Sequence, residues 1–140
     1  MPLNNYTPES DDNRSKVVSE ENGRRHTGLN TGKCRVIQYK VDGKILIQQK
    51  ACDYIVMNED KNTAYLIELK GNKTNEAAEQ LLATYQSLKH YLRGYKIHFR
   101  IISSKAKTHN INSAAFRKNK GELMKLGDFD MQNNKLSEDI

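Results

Sequence analysis

Cysteine, proline and tryptophan are nearly missing from this sequence: two, two and none in 140 residues. Cys34 and Cys52 are far apart and form no Cys-x-x-Cys pattern, so they support neither a disulfide scaffold nor a zinc site. Both sit among strand-like residues, and buried free thiols are expected. The four histidines, His26, His90, His98 and His109, are scattered without zinc-ligand spacing. With two prolines and eight glycines, most of the middle of the chain is free to form regular structure. No apolar run approaches the ~20 residues of a membrane span. The N-terminus carries no apolar stretch of the signal-peptide kind. A cytoplasmic protein without membrane contact is expected.

What the sequence has in quantity is charge. Charged residues make up 29% of it, the net charge is +6 and the pI about 9.3. A basic balance favours acidic partners such as nucleic acid. Residues 100–125 hold Arg100, Lys105, Lys107, Arg117, Lys118, Lys120 and Lys125 against the single acid Glu122. That density suggests a phosphate-facing surface, although a solvated basic face accounts for it equally well.

The order of elements follows from periodicity. Residues 1–15 and 128–140 are polar and poorly periodic, and read as flexible tails around a single domain over 16–127. Residues 12–22 offer a short helix, with Val17 and Val18 on its only apolar side. Gly23, Gly28 and Gly32 mark a loop. CRVIQYKV (34–41), Asp42-Gly43 and KILIQQKACDYIVM (44–57) read as a hairpin. NEDKN (58–62) is a second turn, and TAYLIELK (63–70) a third strand ended by Gly71. Over 75–93, Ala78, Leu81, Leu82, Tyr85, Leu88 and Leu92 recur at helical spacing, and Gly94 stops the helix. Tyr85, Tyr91 and Tyr95 are expected to pack rather than stack on bases. YKIHFRIIS (95–103) is a fourth strand, with His98 at the edge of the core. A last helix over 111–126 would turn Ala114, Ala115, Leu123 and Leu126 inward. The passage from 63–70 through the helix to 95–103 calls for a parallel crossover.

Chemistry enters at three positions. Residues two apart on a strand share a face, so Glu68 and Lys70 lie side by side near the strand's C-terminal end. Taken alone, Glu-x-Lys is most simply an exposed ion pair of little energetic weight. Asp53 alters the balance. It interrupts an apolar strand, where aspartate is disfavoured and a charge needs a partner or a task. Pairing about the turn NEDKN sets position 53 opposite 67–69, so Asp53, Glu68 and Lys70 converge. Two carboxylates can hold a hard divalent cation, and a lysine beside it can position water or stabilise charge on a phosphate. Such a site hydrolyses phosphodiesters without a serine, cysteine or histidine nucleophile.

The pattern Asp-x14-Glu-x-Lys, on two strands followed by an amphipathic helix and a further strand, resembles the PD-(D/E)xK nuclease superfamily over about half the chain, residues 34–103. The sequence ELKGNKTNEAAEQLLATY is similar to small resolvase-like members. The proline of the family's name is replaced by Cys52, and the Gln-x-x-x-Tyr motif of some members is absent. The resemblance implies an α/β, restriction-endonuclease-like three-layer core, with a mixed central sheet of about four strands flanked by helices in the order α-β-β-β-α-β. It implies a metal-dependent deoxyribonuclease, an endonuclease that is structure-directed or weakly sequence-specific. Asp53, Glu68 and the carbonyl of Leu69 would bind magnesium (or manganese), with Lys70 catalytic. Accessory roles fall to Gln80 and to Glu20 or Glu21, with a surface acid or amide as the plainer reading of each. Lys73, Lys105, Lys107, Arg117, Lys118 and Lys120 would contact DNA. A homodimer cutting two strands fits a subunit of this size. The competing expectations are a non-catalytic nucleic-acid-binding or protein-interaction module, and an interaction domain whose three charged residues form a surface ion network.

Overall fold

The chain is described by a computed structural model covering residues 3, 5–70, 73–104 and 113–140. Its first demand comes from TAYLIELK. Only the terminal residues Thr63 and Lys70 are partly exposed, so the strand must be covered on both faces. This strand, β6 (Thr63–Lys70), lies inside a six-stranded sheet with β1 (Ser10–Asp12), β4 (Val36–Lys40), β5 (Tyr54–Asn58), β7 (Lys96–Ser103) and β8 (Asp128–Asn133), in the order β1-β4-β5-β6-β7-β8. The sheet is antiparallel from β1 to β6 and parallel from β6 to β8.

Helices α1 (Thr74–Leu88) and α2 (Ala114–Leu126) cover one face. Ala77, Ala78, Leu81 and Leu88 of α1 and Phe116 and Leu123 of α2 pack there against Ile37, Ile55, Met57, Leu66, Phe99 and Ile101. The other face is covered by a second sheet of β2 (Lys16–Glu21), β3 (Arg24–Leu29) and β9 (Lys135–Asp139), in the order β2-β3-β9. Between the sheets lie Val17, Val36, Val56, Tyr65, Ile67, Leu69, Ile102 and Ile140.

This architecture corrects the expected fold class. The protein is mostly strand, with sheets of six and three strands, and it is not a three-layer α/β core of about four strands flanked by helices. The layer opposite α1 and α2 is a sheet. The expected helix over 12–22 fails because Val17 and Ser19 alternate inward with exposed Lys16, Val18 and Glu20, a two-residue period. The glycine-marked segment after it is β3, and Asn22-Gly23 joins the pair as a hairpin with positive φ at both turn residues. Neither end is a simple tail. Leu3 is fully buried, β1 pairs with β4, and Asp11 accepts two bonds from Arg35. Residues 128–140 form β8 and β9, with Phe129 and Met131 against the helical layer and Leu136 and Ile140 between the sheets.

Smaller differences have local causes. The return strand after Asp42-Gly43 begins only at Tyr54, because Val41 O accepts the N–H groups of Lys44, Ile45 and Leu46 and folds that segment back. Helix α1 ends at Leu88, and Gly94 adopts φ +82° beyond a short irregular stretch. On α2, Ala114 and Ala115 are exposed and Phe116 is the buried residue of the first turn. The expected strand stop at Gly71 lies outside the described residues. No helix among the described residues is long and apolar enough to cross a membrane.

Charge also ties the two sheets together. Arg100 on β7 donates from Nε and Nη2 to Glu138 on β9 (2.7 and 2.9 Å), and from Nη2 to Asp128 (2.8 Å). The buried His26 bonds Glu138 at 2.8 Å. Burial by itself would raise the Glu138 carboxyl, but the bonds from His26 and Arg100 outweigh it and hold it down at about 2. His98 stacks on Tyr65 at 4.5 Å and bonds Asp128.

Gly127 fixes the turn from α2 into β8. A Cβ built there would lie 2.4 Å from the carbonyl oxygen of Ile97, a backbone atom that cannot move aside cheaply. Gly127→Ala is expected to destabilise the protein by about 1–3 kcal/mol, as overpacking does. The check is urea unfolding, where a midpoint equal to wild type would show that β8 docks without this close approach.

Candidate functional site

The strand register assembles the site. Tyr54 pairs with Ile67, and the ladder continues one step as Asp53 N–H donates to Ile67 O at 3.1 Å. The Asp53 side chain then accepts the Leu69 N–H at 2.8 Å. Asp53 and Glu68 thus meet at the C-terminal end of β6. The main-chain N–H and C=O of a strand residue point to the same side, so the Leu69 carbonyl is directed towards the Asp53 edge.

A second contact locks Asp53 from the helix. Cys52 N–H donates to Thr84 Oγ1 at 2.8 Å, and the Thr84 hydroxyl donates to Gln80 O at 2.8 Å. The segment before β5 is thereby fixed to the turn of α1 that carries Gln80. Cys34 and Cys52 are both buried free thiols. Burial, with the nearby Glu68 carboxyl, pushes the Cys52 thiol well above the ordinary range, so it is a packing group.

These residues open on a cleft of about 300 Å³ lined by Glu21, Asn22, Arg24, Asp42, Asp53, Glu68, Leu69, Lys70 and Gln80. Asp53 is 7% and Glu68 3% exposed, so the pair is no surface ion network. Desolvation raises both carboxyls, Asp53 to about 6 and Glu68 to about 9, and for Glu68 the neighbouring Asp53 charge adds to it. The charge of Glu21 adds to the rise of the Asp53 carboxyl. Lys70 pairs with Glu76 of the first turn of α1 at 3.3 Å and keeps part of its surface in the cleft.

The donor chemistry fits a hard cation. Glu68 Oε1 and Gln80 Oε1 are buried acceptors without a hydrogen-bond partner among the described residues, and both residues line the cleft. Among the described residues, no group of three or more His, Cys, Asp and Glu side chains could hold a metal ion by itself. That absence does not count against magnesium, which is commonly held by one or two carboxylates, several waters and the substrate's own phosphate.

The other expected residues divide. Glu21 lines the cleft, whereas Glu20 faces outward and pairs with Arg25. Lys73 is exposed at the start of α1. Arg117 and Lys118 are exposed on α2, within a turn of Asn119, whose side chain donates to Asn75 of α1 at 2.8 Å. Lys120 lies over the Phe129 ring at 5.6 Å. Arg100, counted in the basic stretch, is buried against Glu138 and Asp128 and faces no solvent phosphate. Lys105 and Lys107 lie outside the described residues. Arg24 was not singled out by its residue type. Asn22-Gly23 was the available signal, because a two-residue hairpin sets Glu21 opposite Arg24 on one face.

Comparisons of the chain with protein-family models, with curated proteins and with solved structures give no match in any of the three.

Two outcomes follow from the buried carboxyls. Thr84→Val removes the acceptor of the buried Cys52 N–H at nearly constant volume, and is expected to cost about 1–3 kcal/mol in chemical unfolding. The second concerns pH. The folded-state values of Asp53 and Glu68 lie above the ordinary carboxyl values of 3.8 and 4.5, so the folded protein binds more protons than the unfolded chain. Stability is then lost as pH rises from the ordinary range through about 6 and about 9. Without metal, the melting temperature of wild type should fall across this window relative to that of Glu68→Gln. Parallel curves would show that Glu68 is not held protonated.

Proposed function

We propose that this protein is a magnesium-dependent nuclease that hydrolyses phosphodiester bonds of DNA, with a site of the PD-(D/E)xK type formed by Asp53, Glu68 and Lys70. The observation that carries the reading is the buried pair Asp53 and Glu68, facing a polar cleft with unpaired acceptor oxygens and with Lys70 on the same strand. A purely structural core has little use for two adjacent carboxyls that both resist ionisation.

Asp53, Glu68 and the Leu69 carbonyl would hold the cation, with manganese as the alternative. A divalent ion in the cleft would neutralise charge on the scissile phosphate and acidify an attacking water. Both carboxyls must be ionised for this work, so binding releases their protons and grows stronger as pH rises. Leu69 N–H fixes one oxygen of Asp53, which keeps the carboxylate oriented. Lys70 exchanges its partner Glu76 for the water or the developing negative charge on the phosphate oxygens. The water oxygen bonds to phosphorus as it gives up a proton to solvent, one phosphorus–oxygen ester bond breaks, and the leaving oxygen takes up a proton from solvent. Exposed Lys73, Arg117 and Lys118 supply attraction to phosphates without reading bases.

The decisive assay is cleavage of duplex, single-stranded and four-way-junction DNA, and of RNA, with magnesium or manganese. Wild type should cut DNA, and Lys70→Ala should lower kcat by about 10²–10³-fold while retaining the wild-type fold. Asp53→Ala should also abolish the metal dependence. A wild type that binds DNA without cutting any substrate would make the protein a binding module. One that does neither would remove nucleic acid from consideration.

A further inference from the structure

The cleft contains an arginine that the proposed chemistry does not use. Arg24 follows the Asn22-Gly23 turn, whose residues have φ 52° and 81°, and it pairs across the hairpin with Glu21. Cross-strand partners share a face, so the tip of this hairpin delivers one acid and one base to the same cleft. The described lining holds four acids, Glu21, Asp42, Asp53 and Glu68, against two cations, Arg24 and Lys70. Lys70 is paired with Glu76.

Arg24 stands apart from these acids. Its Nη1 donates to Ser104 Oγ at 2.7 Å, a neutral partner at the end of β7. Its Nε is buried and has no acceptor among the described residues. A guanidinium presents a rigid fork of donors that matches a phosphate, and a buried N–H left unmade is costly. Ser104 therefore holds one side of the fork, and Nη2, which makes no bond among the described residues, is left for an incoming anion. The cleft's carboxylates are suited to a metal, which leaves Arg24 as the group suited to the anion beside it.

Resting on the phosphodiesterase reading of the same cleft, we infer that Arg24 is its phosphate clamp: it donates to a backbone phosphate of bound DNA next to the scissile bond. The β2–β3 hairpin tip is then a substrate-binding element. Arg24 acts by positioning the strand and takes no part in bond making or breaking.

The test is binding of a short fluorescent DNA duplex in magnesium, measured by anisotropy over a series of salt concentrations. Lys70→Ala is the common background, so that slow cleavage does not intrude. Adding Arg24→Gln should weaken binding about tenfold and reduce the slope of log K against log salt by about one, the signature of one lost phosphate contact. Arg24→Lys should restore most of the slope but not the affinity, since the charge returns without the fork. Unchanged affinity and slope in a folded Arg24→Gln variant overturn the clamp, while cleavage by wild type would leave the nuclease reading intact. If wild type fails to cut but the slope still falls, the nuclease reading fails and the clamp stands as a nucleic-acid anchor. If the Lys70→Ala protein and wild type both fail to bind the duplex, both readings are lost.

Discussion

A strand that is apolar on both faces needs cover on both faces, and β6 imposes that requirement on everything around it. Its helix-side residues, Ala64 and Leu66, call for α1 and α2. Its opposite face, Tyr65, Ile67 and Leu69, calls for the small sheet. The requirement lapses only at the C-terminal end, where Glu68 and Lys70 replace apolar residues on the helix side. The cleft lies where the two covering layers run out. The candidate site is therefore a consequence of how the strand ends, and its rigidity comes from neighbours that have to be there for packing alone.

Burial of Asp53 and Glu68 sets the electrostatic character of that end. Among the described residues neither carboxyl has a close, fully committed cationic partner, in contrast with Glu138, which Arg100 and His26 hold ionised. The same residue type, part-buried at Glu138 and buried at Glu68, thus behaves oppositely at two places in one molecule. At the sheet-to-sheet contact the charge is fully compensated and serves cohesion. At the cleft it is left uncompensated, and keeping both carboxyls buried there weakens the fold as pH rises.

Much of this was legible in the sequence, and the rest was hidden for physical reasons. Runs of β-forming residues bounded by turn signals marked β4 to β6, helical spacing marked α1, alternation marked β7, and an aspartate inside an apolar strand marked Asp53. The register across NEDKN was readable because turn and pattern agreed. The small sheet was hard to read because each of its strands shows one face to solvent and contributes few apolar residues, as in KVVSEE and KLSED. Phe129 and Met131 carried a faint alternation that surrounding Asp, Gln and Asn obscured. The role of Arg100 could not be read locally at all, since its partners come from other strands, 28 and 38 residues away. Arg24 was within reach, because Asn22-Gly23 is also a hairpin signal that sets it opposite Glu21.

The parallel pairing of β3 with β9 has a kinetic meaning. His26 and Glu138 are 112 residues apart, so the small sheet closes one of the longest loops available to the chain. Contacts of that separation form late, after local hairpins and helices are in place. The β2–β3 hairpin can form early by itself, but it has no fixed seat until β9 arrives. The apolar side of β6 is consequently the surface most exposed to misassociation during folding, and the β2–β3 hairpin tip is the part of the cleft that matures last.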